Sequence, residues 1–114
     1  MNRCKMNSLT VTVALLAGFA SSPAWSATGN DLVQWGANSP QGSKFIDGAY
    51  MGYISGIADF SNGVLFCAPK GATNGQNVAI VSKFLKSNPE RWAEQAPQLI
   101  VAALSAAYPA CKPK

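Results

Sequence analysis

The sequence predicts a small all-α domain tied by one disulfide bond, with about three main helices and a short helix at its N-terminal end. Three observations predict this class. Apolar residues recur at helical intervals, N-cap and helix-stop signals separate the periodic stretches, and only two cysteines lie beyond the N-terminal segment.

Residues 1–26 have the pattern of a secretory signal peptide. Arg3 and Lys5 give a positive start, and residues 9–20 form an apolar run that is short for a bilayer span. Ala24 and Ser26 are small residues at the two positions that a signal peptidase reads, so cleavage is predicted after Ser26. A buried N-terminal helix or a membrane anchor is the alternative.

Residues 27–114 are then predicted to form one domain of about 88 residues, which buries only a modest core and often needs a covalent crosslink. Without Arg3 and Lys5 the net charge falls from +4 to +2. The basic residues are scattered singly, so no nucleic-acid partner is predicted. No second long apolar run follows, so no membrane insertion is predicted after signal cleavage.

Cys67 and Cys111 are the cysteines that remain when Cys4 leaves with the signal peptide. Exported proteins meet an oxidising compartment, so a Cys67–Cys111 disulfide is predicted. Two reduced thiols are one alternative. A nucleophilic cysteine is another, but the chain contains no histidine to activate it.

The first helix is predicted within residues 27–36, where Asn30 or Asp31 is the candidate N-cap of a turn that carries Leu32 and Trp35. The second, from Lys44 to about Ser61, is the long helix. Its apolar residues form two adjacent lines that predict a broad buried face. The lines are Phe45, Ala49, Tyr53 and Phe60, and Ile46, Tyr50, Ile54 and Ile57.

Gly48, Gly52 and Gly56 repeat every four residues beside these lines, so they share one face of the long helix. Each interior glycine costs a helix about 1 kcal/mol relative to alanine. Close packing against the glycines is therefore predicted, either within the domain or in a homodimer. A membrane helix pair is disfavoured because Asp47 and Asp59 bracket the segment.

The third helix begins with a predicted capping box, in which Thr73 and Gln76 satisfy each other's backbone amides. Asn88 is the predicted N-cap of the last helical segment and Pro89 its first residue. Pro97 predicts a kink or two helical pieces near Ala96. Tyr108 and Pro109 are predicted to stop the last helix.

The sequence offers little for catalysis. It has no histidine, no cluster of carboxylates and no cysteine spacing of a metal site. Gly71 and Gly75 do not form a phosphate loop, because no Gly-Lys-Ser/Thr follows them. We therefore predict no enzyme activity, no metal and no cofactor, and a binding protein is the default.

Several motifs in a fixed order resemble one family. They are Gly52-Tyr53-Ile54-x-Gly56-Ile57-x-Asp59, Phe66-Cys67-x-Pro69, Thr73-x-x-Gln76, Phe84-Leu85, Asn88-Pro89-Glu90, Ala103-Leu104 and Tyr108-Pro109 before Cys111. In this order and spacing the chain resembles the Rap/Tai family of type VI secretion amidase immunity proteins over residues 29–111. Ala110, between the proline and the closing cysteine, and Gly36, where relatives often carry a cysteine, depart from the family pattern.

The resemblance implies a periplasmic, all-helical, often homodimeric protein of Gram-negative bacteria. Such proteins occlude the groove of a papain-like cysteine peptidase that cuts peptidoglycan. The shared motif residues, including Gly48, Tyr53 and Thr73, are interpreted as structural. Partner contact is expected in exposed loops. The candidates are Ser61, Asn62, Gly63 and Val64, and Lys70, Gly71 and Ala72.

Two other functions remain open at this stage. A periplasmic acid-stress chaperone is one, because some are small helical proteins with one disulfide. Such a switch needs titrating groups, and five acids without histidine offer few of them. A non-catalytic envelope binding protein is the other.

Overall fold

The computed structural model describes residues 26–37 and 44–113, and in that part of the chain four α-helices and no strand are present. They are α1 (Gly29–Ala37), α2 (Lys44–Ser61), α3 (Asn74–Ser87) and α4 (Ala96–Ala107), with a 3-10 turn at Pro89–Arg91. The all-α prediction, with one short and three longer helices, is confirmed. None of the described helices is long and apolar enough to cross a bilayer. The signal peptide, except Ser26, lies outside the described residues and stays a prediction.

α1 is held at its start by Asp31, which does not act as the predicted N-cap. The Asp31 carboxylate accepts hydrogen bonds from the Thr28 amide at 2.8 Å and from the Thr28 hydroxyl at 3.0 Å. Asp31 therefore lies inside the first turn and reaches back to the residue before the helix. The chain around Gly29 packs directly against the segment before α4, because the Gly29 amide donates to the Glu94 carbonyl at 3.0 Å.

α2 buries one narrow line, consisting of Tyr50, Ile54, Ala58 and Ser61. The prediction of a broad buried face is wrong for three residues of the other apolar line, whereas its fourth residue, Tyr53, is partly buried and packs against the core. Phe45 and Phe60 are 85% and 87% exposed, and Ala49 is exposed as well. The reason is geometric, since the described helices cover only one side of α2 and leave the opposite side open.

The three glycines of α2 lie on that open side. A Cβ added at Gly48, Gly52 or Gly56 would meet no heavy atom within 4 Å. The expectation that another part of the domain packs on them is therefore wrong for the described residues, whereas packing in a homodimer stays a prediction. We call this surface the glycine face; it consists of Phe45, Gly48, Ala49, Gly52, Gly56 and Phe60.

The capping box of α3 is confirmed. The Thr73 hydroxyl accepts from the Gln76 amide at 3.2 Å, and the Gln76 side-chain oxygen accepts from the Thr73 amide at 2.9 Å. Asn88 does not cap the following segment as predicted. Its side-chain amide donates instead to the Phe84 carbonyl at 2.8 Å, so it closes the end of α3.

The last segment is split as Pro97 predicts. Pro89 starts only a 3-10 turn, and α4 begins at Ala96 with Pro97 in its first turn, where a missing amide does no harm. α4 ends at Ala107, before Tyr108, as predicted. It crosses the core, which consists of Leu32, Tyr50, Ile54, Ala58, Phe66, Val81, Leu85, Ala96, Leu99, Ile100, Ala103 and Leu104.

A candidate recognition surface at the disulfide end

The end of α2, the start of α3 and the end of α4 are joined by one disulfide. We call residues 61–73 and 108–111 the disulfide end. Cys67 and Cys111 are bonded with a Cα–Cα distance of 4.9 Å, which confirms the predicted pairing. The Cys67 amide also donates to the Pro109 carbonyl at 3.0 Å. The segment after α4 is thus fixed to the loop before α3.

The first predicted contact loop is a tight turn after α2. The Ser61 carbonyl accepts from the amides of Val64 at 3.1 Å and Leu65 at 2.9 Å, and the Gly63 amide donates to the Phe66 carbonyl at 2.8 Å. Gly63 has a φ of 87°, which a residue with a side chain rarely adopts. The turn presents Val64 to solvent with 76% of its surface exposed.

Ser61 differs from the other predicted contact residues, because it is only 4% exposed. It ends the buried line of α2, so the expectation that it lies in an exposed loop is wrong. Its role in the structure is to accept the backbone hydrogen bonds that form the turn.

The second predicted contact loop, Lys70 to Ala72, lies beside Asn62. The Asn62 side-chain oxygen accepts from the Ala68 amide at 2.9 Å and so connects the two loops. Asn62, Lys70, Gly71 and Ala72 all line one polar groove of about 300 Å³. The structure therefore brings these predicted residues together, while their contact with a partner stays a prediction.

Other residues that were not predicted also line the polar groove, and the polar ones among them are Asp59, Asn74 and Asn77. Asn77 is 8% exposed, and its side-chain oxygen accepts from the Tyr108 hydroxyl at 2.8 Å. The sequence feature that could have indicated Asn77 is its position four residues before buried Val81. This spacing places its polar side chain on the buried face of α3.

A second groove is lined in part by Leu65 of the turn after α2 and is almost wholly apolar. It has a volume of about 520 Å³ and is lined by Ile57, Phe60, Ser61, Leu65, Pro97, Gln98, Val101 and Ala102. We call it the apolar groove. Phe60 at 87% and Leu65 at 56% exposure show that large apolar side chains stand open to solvent here. The available signal was the apolar run Val64-Leu65-Phe66 directly after a helix.

The site offers hydrogen-bonding and apolar surfaces rather than reactive groups. In residues 26–37 and 44–113 no three His, Cys, Asp or Glu side chains lie close enough to hold a metal ion. The two tyrosines of α2 lie elsewhere. Burial raises the pKa of Tyr50, although its hydrogen bond with Ser82 at 2.7 Å lowers it, and burial together with the charge of Asp31 raises the pKa of Tyr53.

The family model of Rap1a immunity proteins matches residues 28–111, from the turn before α1 to the second cysteine of the disulfide. The chain belongs to the Rap1a immunity protein family. The resemblance drawn from the ordered motifs is thereby confirmed. Membership of the Rap1a family implies that the protein binds a cognate effector. No curated protein sequence matches the chain significantly.

Proposed function

We propose that this protein is a periplasmic, non-catalytic inhibitor that binds and occludes a peptidoglycan amidase delivered by type VI secretion. The observation that carries the proposal is the family match over residues 28–111, which spans all four helices and the disulfide. The amidase expected from the resemblance is a papain-like cysteine peptidase. Such an enzyme is inhibited when another protein covers its catalytic groove, and the inhibitor needs no catalytic residues for this.

The geometry of the disulfide end supports occlusion. A protein that blocks a groove loses less entropy on binding when its contact loops are already ordered. The turn at Gly63 and the loop at Gly71 are held by backbone hydrogen bonds, by Asn62 and by the disulfide. Asn62 of this turn lines the polar groove, and Leu65 of the same turn lines the apolar groove.

The periplasm is proposed on two supports. The first is the signal-peptide pattern of residues 1–26. The second is the Cys67–Cys111 disulfide, because disulfides persist in oxidising compartments such as the bacterial periplasm.

A homodimer that pairs through the glycine face is part of the proposal. Glycines allow two helix backbones to approach closely, and here nothing in the described domain uses them. In an antiparallel pair centred near Gly52, Phe45 lies beside the partner's Phe60 at each end. Lys44 then lies near the partner's Asp59, so the ends also carry opposite charges.

Protection from lysis tests the proposal. A papain-like cysteine amidase delivered by type VI secretion, chosen from the genes adjacent to this one, is directed to the periplasm of a Gram-negative host, with or without this chain. We expect lysis without the chain, survival with it, and lysis again when residues 1–26 are deleted and the chain stays in the cytoplasm. Lysis despite full periplasmic expression of the intact chain would contradict the proposed function.

A further inference from the structure

We propose that the polar groove is a subsite for a carboxamide group of the bound effector, meaning a peptide unit or an Asn or Gln side chain. The carboxamide oxygen faces the start of α3 and its N–H faces Asp59. This inference deepens the proposed function and rests on it for the identity of the partner. It depends on the donors and acceptors that line the groove.

The first support is Asn77. The Tyr108 hydroxyl donates to its side-chain oxygen at 2.8 Å, and no described residue hydrogen-bonds to its Nδ2. Among the described residues, every side-chain nitrogen or oxygen that is closed off from solvent has a partner. Nδ2 therefore reaches solvent, although Asn77 as a whole is only 8% exposed. The polar groove, which Asn77 lines, provides the opening.

The second support is the start of α3, which lies on the same wall. Thr73 satisfies the Gln76 amide, and the Thr73 carbonyl accepts from the Asn77 amide at 3.1 Å. The amides of Asn74 and Gly75 remain in the first turn, where helical amides have no intrahelical acceptor. Asn74 lines the groove. This wall therefore presents donors and the positive end of a 14-residue helix to an acceptor atom.

The charges at the groove favour a neutral group. Lys70 and Asp59 both line it. A bound ammonium group would be repelled by Lys70 and by the positive start of α3, and a bound carboxylate would be repelled by Asp59. A carboxamide has one acceptor and at least one donor and satisfies both sides without a net charge. It also needs less desolvation than an ion when the groove closes over it.

The disulfide positions this subsite. Tyr108 holds the Asn77 side chain, its ring packs on Phe66 with centroids 5.9 Å apart, and Cys111 fixes the same segment to Cys67. Tyr108 is thus a positioning residue that fixes the direction of Asn77 Nδ2, and it need not touch the effector.

The subsite can be tested without an effector. N-acetylasparagine N-methylamide is titrated into the ¹⁵N-labelled protein purified from the periplasm, followed by NMR. We expect saturable shifts of the Asn77 side-chain NH₂ and of the Asn74 and Gly75 amides. Asn77→Asp should weaken the binding about tenfold, because it removes the donor yet keeps the acceptor for Tyr108 and hence the fold. Unchanged binding by Asn77→Asp, no saturable shift, or tighter binding of acetate would overturn the proposal.

A second experiment separates the subsite from the proposed function. Binding of the catalytically inactive amidase is measured for the wild type, Asn77→Asp and Tyr108→Phe. We expect about a tenfold loss for Asn77→Asp and a smaller loss for Tyr108→Phe. Equal binding by all three proteins would contradict the carboxamide subsite but not the proposed function. If the wild type itself does not bind, the function fails, and the carboxamide titration still decides whether the groove takes this group.

Discussion

Gly63 and Gly71 at the disulfide end have φ values of 87° and 95°, whereas Gly48, Gly52 and Gly56 lie within the helical backbone of α2. At the disulfide end glycine permits a backbone conformation that makes the turn possible. In α2 the backbone is helical, and a Cβ added at any of the three glycines would contact no other part of the described chain, so the described fold does not require glycine there. Glycine is therefore required by the fold in one region and is not explained by the described fold in the other, where we propose the homodimer contact.

The disulfide end should depend most strongly on its covalent bond. Replacing both Cys67 and Cys111 by serine should lower the free energy of unfolding by about 4 kcal/mol, because the bond spans 44 residues and restricts the unfolded chain. Urea unfolding measures the change. The reduced wild type is the control and should behave like the double variant. A loss below about 1 kcal/mol would mean that the core alone holds this end together.

The two glycine regions should respond to alanine with opposite signs. Gly71→Ala should destabilise the protein by about 1–2 kcal/mol, since alanine strains a left-handed backbone. Gly52→Ala should stabilise the monomer by up to about 1 kcal/mol, since alanine favours helix and meets no atom there. Urea unfolding at low protein concentration compares them. Equal losses of stability for Gly71→Ala and Gly52→Ala would mean that the fold requires glycine equally at the two positions.

The glycine face can be separated from the fold by a larger side chain. Gly52→Leu should leave the helical circular dichroism and the unfolding midpoint of the monomer nearly unchanged, because the Cβ points into open space. It should abolish the proposed dimer, as measured by light scattering during gel filtration. Gly29→Leu is the contrasting variant, because its Cβ lies 2.5 Å from Leu99 Cδ1 and should disturb folding. A Gly52→Leu chain that stays dimeric would exclude this face as the interface.

The buried side of α2 predicts a smaller effect, at high pH. Burial raises the pKa of Tyr50 above its ordinary value of 10.0, so the folded protein keeps a proton that the unfolded chain loses. This contribution to stability is complete below pH 10 and is lost as the pH rises through the higher pKa of the folded state. Urea unfolding between pH 9 and 11 should show a steeper decline for the wild type than for Tyr50→Phe. Parallel declines would contradict this role.

Features that depend on a few neighbouring residues are predicted correctly from the sequence in most cases. Thr73 and Gln76 form a capping box because both partners lie within four residues. Pro97 lies in the first turn of α4 because its ring removes a backbone donor that only a helix start can spare. The prediction that Asn88 caps the following segment is wrong. An asparagine between two helical segments has backbone carbonyl acceptors before it and backbone amide donors after it. Sequence alone does not say which of these the side chain takes.

Features that depend on several segments were harder to predict. The periodicity of α2 shows that the helix has apolar lines, but it does not show which line the other helices cover. The sequence therefore predicts Phe45 and Phe60 to be buried, and the structure leaves both exposed. The residues that line the polar groove come from three separate stretches of the chain, which contribute Asp59, Lys70 and Asn77. Only the disulfide, predicted from two cysteines, indicated that Tyr108 returns to this end.

The central claim is that recognition occurs at the disulfide end, and a matched pair of charge reversals tests it most directly. Lys70 lines the polar groove. Lys86 is also exposed and lies 12 residues after Asn74 along α3, about 18 Å from Asn74 by helical rise. Affinity for the inactive amidase is measured by calorimetry. We expect Lys70→Glu to weaken binding at least about tenfold and Lys86→Glu to weaken it less than about twofold. Equal affinities, or a larger loss for Lys86→Glu, would contradict it.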